Sequence, residues 1–168
     1  GELATPRDRE LGVESVVVRR KLTAGLLHDI GNAATPQSLL NKPARLTTEE
    51  FTKLMTHPVV GWEICKPLRT AQSVLDCILY HHERFDGSGY PEGLAGEKIP
   101  YQARLLAVAD ALDALTSERA YRRSLSVDEA VELLGQETDA GKWDPDIYAA
   151  LTRLAERGQA DPRRLENS

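Results

Sequence analysis

The 168-residue chain carries four histidines, and none falls mid-helix on a polar face, where a surface filler would sit. His28 is followed at once by Asp29, His57 stands before Pro58, and His81 and His82 close an apolar run. Each position is a predicted helix end or lies beside a proline, where side chains from separate helices gather at one end of a bundle. Imidazole is the commonest neutral nitrogen ligand, and two in succession cost desolvation if buried without partners. Neighbouring helix residues point about 100° apart, so His81 and His82 address one face of a metal from a fraying end, or different positions around a cluster. Asp110, inside an otherwise apolar segment, adds a second carboxylate.

His28, Asp29, His57, His81, His82 and Asp110 together offer nitrogen and oxygen ligands and no thiolate. That set suits iron, manganese or zinc rather than a sulfur-bound structural zinc. Six groups exceed what one ion with an open position needs, so a binuclear centre is the economical reading, with a carboxylate such as Asp29 able to bridge. Two such ions generate a hydroxide at neutral pH and clamp a phosphoryl group, which gives phosphoester hydrolysis without a Ser or Cys nucleophile. Each residue also has a plainer alternative. Asp110 alone would pair with Arg104 or Arg119, His57 could meet a helix dipole, and Asp29 could be a cap. Asp113 reads as structural, or as a support behind the ligands.

Helices must deliver these groups. Val16, Val17, Leu22, Leu26 and Leu27 recur at near-helical spacing, so residues 13–27 read as an amphipathic helix that runs into His28 and Asp29. Gly31 is expected to end it through a left-handed turn. Residues 32–45, with Pro36 and Pro43, read as loop with a turn of helix. Thr47 or Thr48 with Glu50 or Glu49 offers a capping box for a short helix with Phe51, Leu54 and Met55 on its apolar side. Pro58 suits the first turn of a helix over 59–68 whose inward positions are Val60, Ile64 and Leu68. A helix over 71–80, with Val74, Leu75, Ile78 and Leu79 inward, delivers His81 and His82. Residues 83–100 hold too many glycines and prolines for regular structure and read as a long ordered loop. The most apolar helix covers 101–116 and carries Asp110. Ser126 with Glu129 caps a helix over 127–134, and Asp144 with Pro145 starts a last one running through Leu154. No alternating strand pattern of useful length appears, so the fold class is all-α.

Four stretches now carry a resemblance: HDIG at 28–31, THP at 56–58, HHERFDGSGYP at 81–91 and ADALDALTSERAYR at 109–122. In order and spacing, from about Leu26 to Pro145, the chain resembles the HD-GYP family, a branch of the HD-domain metal-dependent phosphohydrolases. The resemblance implies an HD-domain helical bundle with a long ordered GYP loop. It also implies two divalent metal ions, most often iron or manganese, and hydrolysis of cyclic di-GMP to pGpG and GMP through a metal-bridging hydroxide. Carried over, His28, Asp29 and Asp110 would hold one ion, His57, His81 and His82 the second, with Asp29 between them. Tyr90, Arg119 and Arg122 would contact substrate phosphate or base, guanidinium forks matching phosphate oxygens. The family's GYP loop also implies a diguanylate cyclase (GGDEF) partner.

Two departures stand out. The family has a lysine after HDIG, where this chain has Asn32, so a cation expected beside the scissile phosphate is missing from the catalytic set of Asp29 and position 32. That opens a second reading, a weakened domain serving as cyclic di-GMP sensor or interaction scaffold. A third is an HD phosphohydrolase for nucleotides or other phosphomonoesters. Members with three metals draw a further glutamate and histidine from a helix about thirty residues upstream of the HD pair, which would fall before this sequence: a complete chain is expected to lack the third metal, whereas for a fragment those ligands would lie outside it.

Apolar residues at 41% and charged residues at 28% are ordinary for a globular domain with a real core. The expected organisation is a linker or tail of an upstream element over 1–12, the domain over 13–157 and a charged tail over 158–168. A net charge of -5 argues against a duplex-binding surface. Cys65 and Cys77 read as buried free thiols in a reducing compartment. With no apolar run of membrane-spanning length, a cytoplasmic location is expected.

Overall fold

A computed structural model describes residues 23–118 and 123–158. These fold into helices, 3-10 turns and loops, with no strand among the described residues. Helix α1 covers 23–27, and a 3-10 turn, Ile30–Ala34, follows. Then come α2 (Gln37–Leu40), α3 (Thr48–Leu54), α4 (His57–Cys65), α5 (Gln72–Tyr80), α6 (Tyr101–Thr116), α7 (Val127–Asp139) and α8 (Pro145–Glu156). Residues 13–22 of the expected first helix lie outside the described residues.

The caps that the sequence offers are built. The Thr47 hydroxyl accepts from Glu50 N while the Glu50 carboxylate accepts from Thr47 N, and Ser126 and Glu129 repeat the arrangement at α7. Asp144 accepts from the backbone N–H groups of Asp146 and Ile147, with Pro145 in the first turn of α8. The same aspartate pairs with Arg104 of α6, tying the start of the last helix to the middle of the bundle.

Chain order becomes packing order: α4 lies on the Ile30–Ala34 turn and on α5, α5 on α6, α6 on α7, and α7 on α8. Two apolar clusters result. One joins α1, α4 and α5 through Ala24, Cys65, Val74, Leu75, Cys77 and Ile78. The other joins α6, α7 and α8 around Val108, Leu112, Leu134, Trp143 and Ile147. Helix α6 serves both, with Leu106 against the first and Ala107 and Val108 in the second. Both cysteines are buried free thiols.

Three expectations about local packing are corrected. Gly31 does not take a positive φ; α1 ends before it, and the glycine is needed for contact. A Cβ there would lie 1.9 Å from the His57 carbonyl oxygen, so only glycine lets the 3-10 turn reach the start of α4. Helix α4 turns a different face inward from the one that its apolar repeat suggests. It buries His57, Pro58, Gly61 and Cys65, while Ile64 and Leu68 are exposed. Gly61 is the pivot, since its missing side chain leaves room for Gly31 N and Ile78. Helix α3 buries no residue, and Phe51 faces solvent.

Candidate metal centre

Three helix ends and α6 converge. His28 follows α1, His57 opens α4 directly after α3, and His81 and His82 follow α5. Each of three imidazoles leans on the last turn of the helix before it. His28 Nδ1 donates to Gly25 O at 2.7 Å, His57 Nδ1 to Leu54 O at 2.8 Å, and His81 Nδ1 to Ile78 O at 2.9 Å. A carbonyl oxygen can only accept, so Nδ1 carries a proton, and a ring in its neutral form presents a bare lone pair on Nε2.

Those lone pairs point at one another and at Asp29. His57 Nε2 and His81 Nε2 approach to 3.3 Å. Asp29 Oδ1 lies 3.2 Å from His57 Nε2 and 4.0 Å from His81 Nε2, while Oδ2 lies 3.5 Å from His28 Nε2. Asp110 Oδ1 reaches within 3.8 Å of His28 Nε2. His82 completes a set with Asp29, His57 and His81 whose ligand atoms all lie within 4.8 Å of one another. Convergent acceptors repel unless a cation or an extra proton lies among them. Two ligands bonded at about 2.1 Å and subtending tetrahedral or octahedral angles stand about 3.0–3.4 Å apart, and His57 Nε2 has that spacing to both His81 Nε2 at 3.3 Å and Asp29 Oδ1 at 3.2 Å. The residues present fit a divalent metal, with one side of Asp29 facing His28 and the other facing His57 and His81.

The charges agree with that role. The His57 contact, and then the fields of His28, His57 and His81, draw the Asp29 carboxyl down to about 2, so it is ionised at any ordinary pH. Contact with His28 also lowers Asp110, and the same contact raises His28. Burial, reinforced by neighbouring imidazoles, brings His81 to about 4 and His82 to about 3. Both rings are therefore neutral ligands at pH 7.

Beyond His82 the loop folds back over the centre. Tyr90 stacks on the His82 ring at 4.8 Å between centroids and 28° between planes, and Tyr90 N donates to His82 O at 3.3 Å. Burial raises the phenol far above its usual range, so it stays protonated. Gly89 permits this path, because a Cβ there would lie 2.4 Å from Arg84 N and from Glu83 Cα. Glu83, only 2% exposed, accepts from Glu92 N at 2.8 Å through Oε1 and from Leu94 N at 3.0 Å through Oε2. In the sequence it is one carboxylate among several in a long glycine-rich loop, trailing two histidines, and nothing local sets it apart as the residue that closes the loop.

Asn32 lies in the 3-10 turn after Asp29, and its Oδ1 is buried without a partner. Asp113 is exposed. Arg119 and Arg122 lie outside the described residues.

A helical bundle whose helix ends deliver histidines and an HD pair to one centre defines an HD-domain protein. The chain belongs to that family: the HD domain family model matches residues 2–147. Within it, the HDIG and HHERFDGSGYP stretches place the chain in the HD-GYP branch. It is 41% identical over 146 residues to the cyclic di-GMP phosphodiesterase PA4108 of Pseudomonas aeruginosa, covering 86% of this chain and 35% of that protein. It is 40% identical to the cyclic di-GMP phosphodiesterase response regulator RpfG of Xanthomonas campestris, over 86% of this chain and 38% of that one. To the 3'3'-cGAMP-specific phosphodiesterase 1 of Vibrio cholerae it is 33% identical, over 93% and 36%. The chain thus spans little more than a third of these relatives' length. Bd1817 of Bdellovibrio bacteriovorus, a solved HD-GYP structure, shares the fold with a TM-score of 0.67 at 24% identity, over 88% of this chain and 47% of that one.

Proposed function

We propose that this domain hydrolyses the phosphodiester of a cyclic dinucleotide, cyclic di-GMP first, with two divalent ions, iron or manganese, at the HD centre. The observation that carries the proposal is the convergence of His57 Nε2, His81 Nε2 and Asp29 Oδ1, with Asp29 Oδ2 turned to His28 Nε2. The 33–41% identity to relatives named as cyclic di-GMP and cGAMP phosphodiesterases supports the substrate class. His28, Asp29 and Asp110 would hold one ion and His57, His81 and His82 the other, with Asp29 able to serve both. When bound, the ions supply acidity to water and positive charge to the phosphoryl oxygens.

The chain's own residues do the rest. Three Nδ1–H bonds keep the Nε2 atoms bare and aimed, and Asp29 stays ionised. Tyr90, stacked and protonated, offers a hydroxyl to a phosphate oxygen or a flat ring to guanine. Arg119 and Arg122 are assigned to the same substrate. The exposed rim of the loop, including Ser88, Glu92 and Lys98, is where a GGDEF partner would dock.

Replacing His28 and Asp29 by alanine tests the reading: bound metal and cyclic di-GMP hydrolysis should both disappear, and unchanged turnover would refute it. A substrate panel including mixed cyclic dinucleotides and phosphomonoesters fixes the preference. The neutral Asn32 that follows HDIG, where a cation is expected, favours one second reading, a domain that binds cyclic dinucleotide and metal yet turns over slowly. Asn32→Lys separates the two, because a large rise in kcat with little change in affinity marks the native domain as weakened.

A further inference from the structure

Arg84 stands two residues beyond His82 and belongs to none of the metal-ligand assignments above. Its guanidinium lies 4.4 Å over the Trp143 ring, and Nη1 donates to Glu83 O at 3.3 Å. The shelf beneath it is rigid. Trp143 is 4% exposed, its Nε1–H donates to Glu137 at 2.7 Å, and Phe85 N donates to Lys142 O at 2.9 Å. Among the described residues Arg84 makes no ion pair. A guanidinium has five N–H donors, and stripping water from it without an anionic partner costs free energy.

The acidic groups whose fields reach it are already engaged. Arg84 is half-buried, and the acids nearest in effect are Asp110, Glu137 and Asp86. Asp110 faces His28, Glu137 takes Lys142 and Trp143, Asp86 takes Ser88 N, and Tyr90 is neutral. Arg84 follows His82 by two residues, and its backbone N lies 2.4 Å from where a Cβ on Gly89 would stand, one residue before the Tyr90 that stacks on His82, so the residue sits beside the loop segment over the centre. A held, partly dehydrated cation next to a metal site and without a carboxylate of its own is a receptor prepared for an anion.

We propose that Arg84 binds a non-bridging phosphate oxygen of the dinucleotide, supplying from the loop side the cation that Asn32 does not supply from the HD side. The proposal rests on the phosphodiester reading above. Its planar fork suits phosphate oxygens better than an ammonium would.

Arg84→Met keeps the apolar stem on Trp143 and removes the charge; Arg84→Lys keeps the charge and removes the fork. Melting temperature and metal content are measured for both, with KM and kcat for cyclic di-GMP. Calorimetric binding of cyclic di-GMP and of bis(p-nitrophenyl) phosphate to chelator-treated protein forms a second arm that needs no turnover. Arg84→Met should fold and hold metal as the parent does, yet raise KM at least about tenfold and weaken binding of both phosphodiesters, with Arg84→Lys intermediate. A folded, metal-loaded Arg84→Met with parental KM and parental binding overturns the proposal. So does a variant whose only change is a lower melting temperature, which makes Arg84 packing for Trp143. If the parent binds phosphodiesters through Arg84 but cleaves none, the hydrolase reading fails and the Arg84 assignment stands.

Discussion

His81 is completely buried, and burial together with the charges of His28 and His57 brings it to about 4, with His82 at about 3. An unfolded chain takes up protons on these rings near the ordinary histidine value of 6.5, while the folded chain refuses them. Acid therefore favours unfolding: this stability is complete above pH 6.5 and is lost as pH falls toward 4. Asp29, held at about 2 against an ordinary 3.8, acts in the same direction lower down, between pH 3.8 and 2. His28 opposes, because its raised pKa contributes stability that is lost as pH climbs past 6.5. The expected outcome for chelator-treated protein is a melting temperature that declines steadily from pH 6.5 to 4, read by circular dichroism. Bound divalent metal should steepen the decline, since protons and cation compete for the same nitrogens. A flat or rising profile counts against the buried neutral imidazoles. At this scale the sequence was informative: four histidines and Asp29 at helix ends, and Asp110 inside an apolar helix, are visible without coordinates. The proton placement on Nδ1 was not, because it depends on carbonyls three residues back whose direction is set only once the helix turns.

Helix ends and the loop beyond them raise a different question, namely what keeps an eighteen-residue stretch (83–100) over the centre with only one short 3-10 turn, Gly96–Lys98, inside it. Glu83 answers it by holding two backbone N–H groups from the far side of the loop, one on each carboxylate oxygen. Glu83→Gln keeps the shape but leaves one oxygen and one amide NH2, so one backbone N–H faces a donor. A buried donor left unmet costs about 1–3 kcal/mol. Urea denaturation should show a loss of that size with helix content intact. A loss below about 0.5 kcal/mol would mean that the loop closes without Glu83. Composition marked this stretch as ordered loop, yet the closure is tertiary and has no local signature. The face of α4 was misjudged for a related reason: Val60, Ile64 and Leu68 form an apolar repeat, but Gly61 against Gly31 and Ile78 decides which side goes inward, and contact across elements has no period in one of them.

The whole molecule divides its apolar interior in two, with α6 between. The carbonyls that aim histidines come from α1, α3 and α5 and none from the other half; the α7 and α8 half supports Trp143 and Asp144. Leu134 and Ile78 are equally buried, at 0% exposure, so alanine at either should cost about 2–5 kcal/mol. Their effects on metal should differ. Leu134→Ala is expected to leave metal affinity in the folded protein unchanged, whereas Ile78→Ala loosens the turn whose carbonyl holds His81 and should weaken it about 10–100-fold. Equal losses of metal from both variants, at temperatures where both are folded, would show that the halves are not separable. The all-helical architecture was legible because periods near 3.6 and two capping boxes are local; the division of the core was not, because it depends on how α6 shares its faces. One consequence of the histidine geometry remains. The last carbonyls of a helix ordinarily have no partner within it, and here three helices spend such a carbonyl on an imidazole that faces a common point. An ion arriving at that point therefore fastens three separate segments in one event, and deuterium uptake at the ends of α1, α3 and α5 should slow together, in the same proportion, as metal is titrated in.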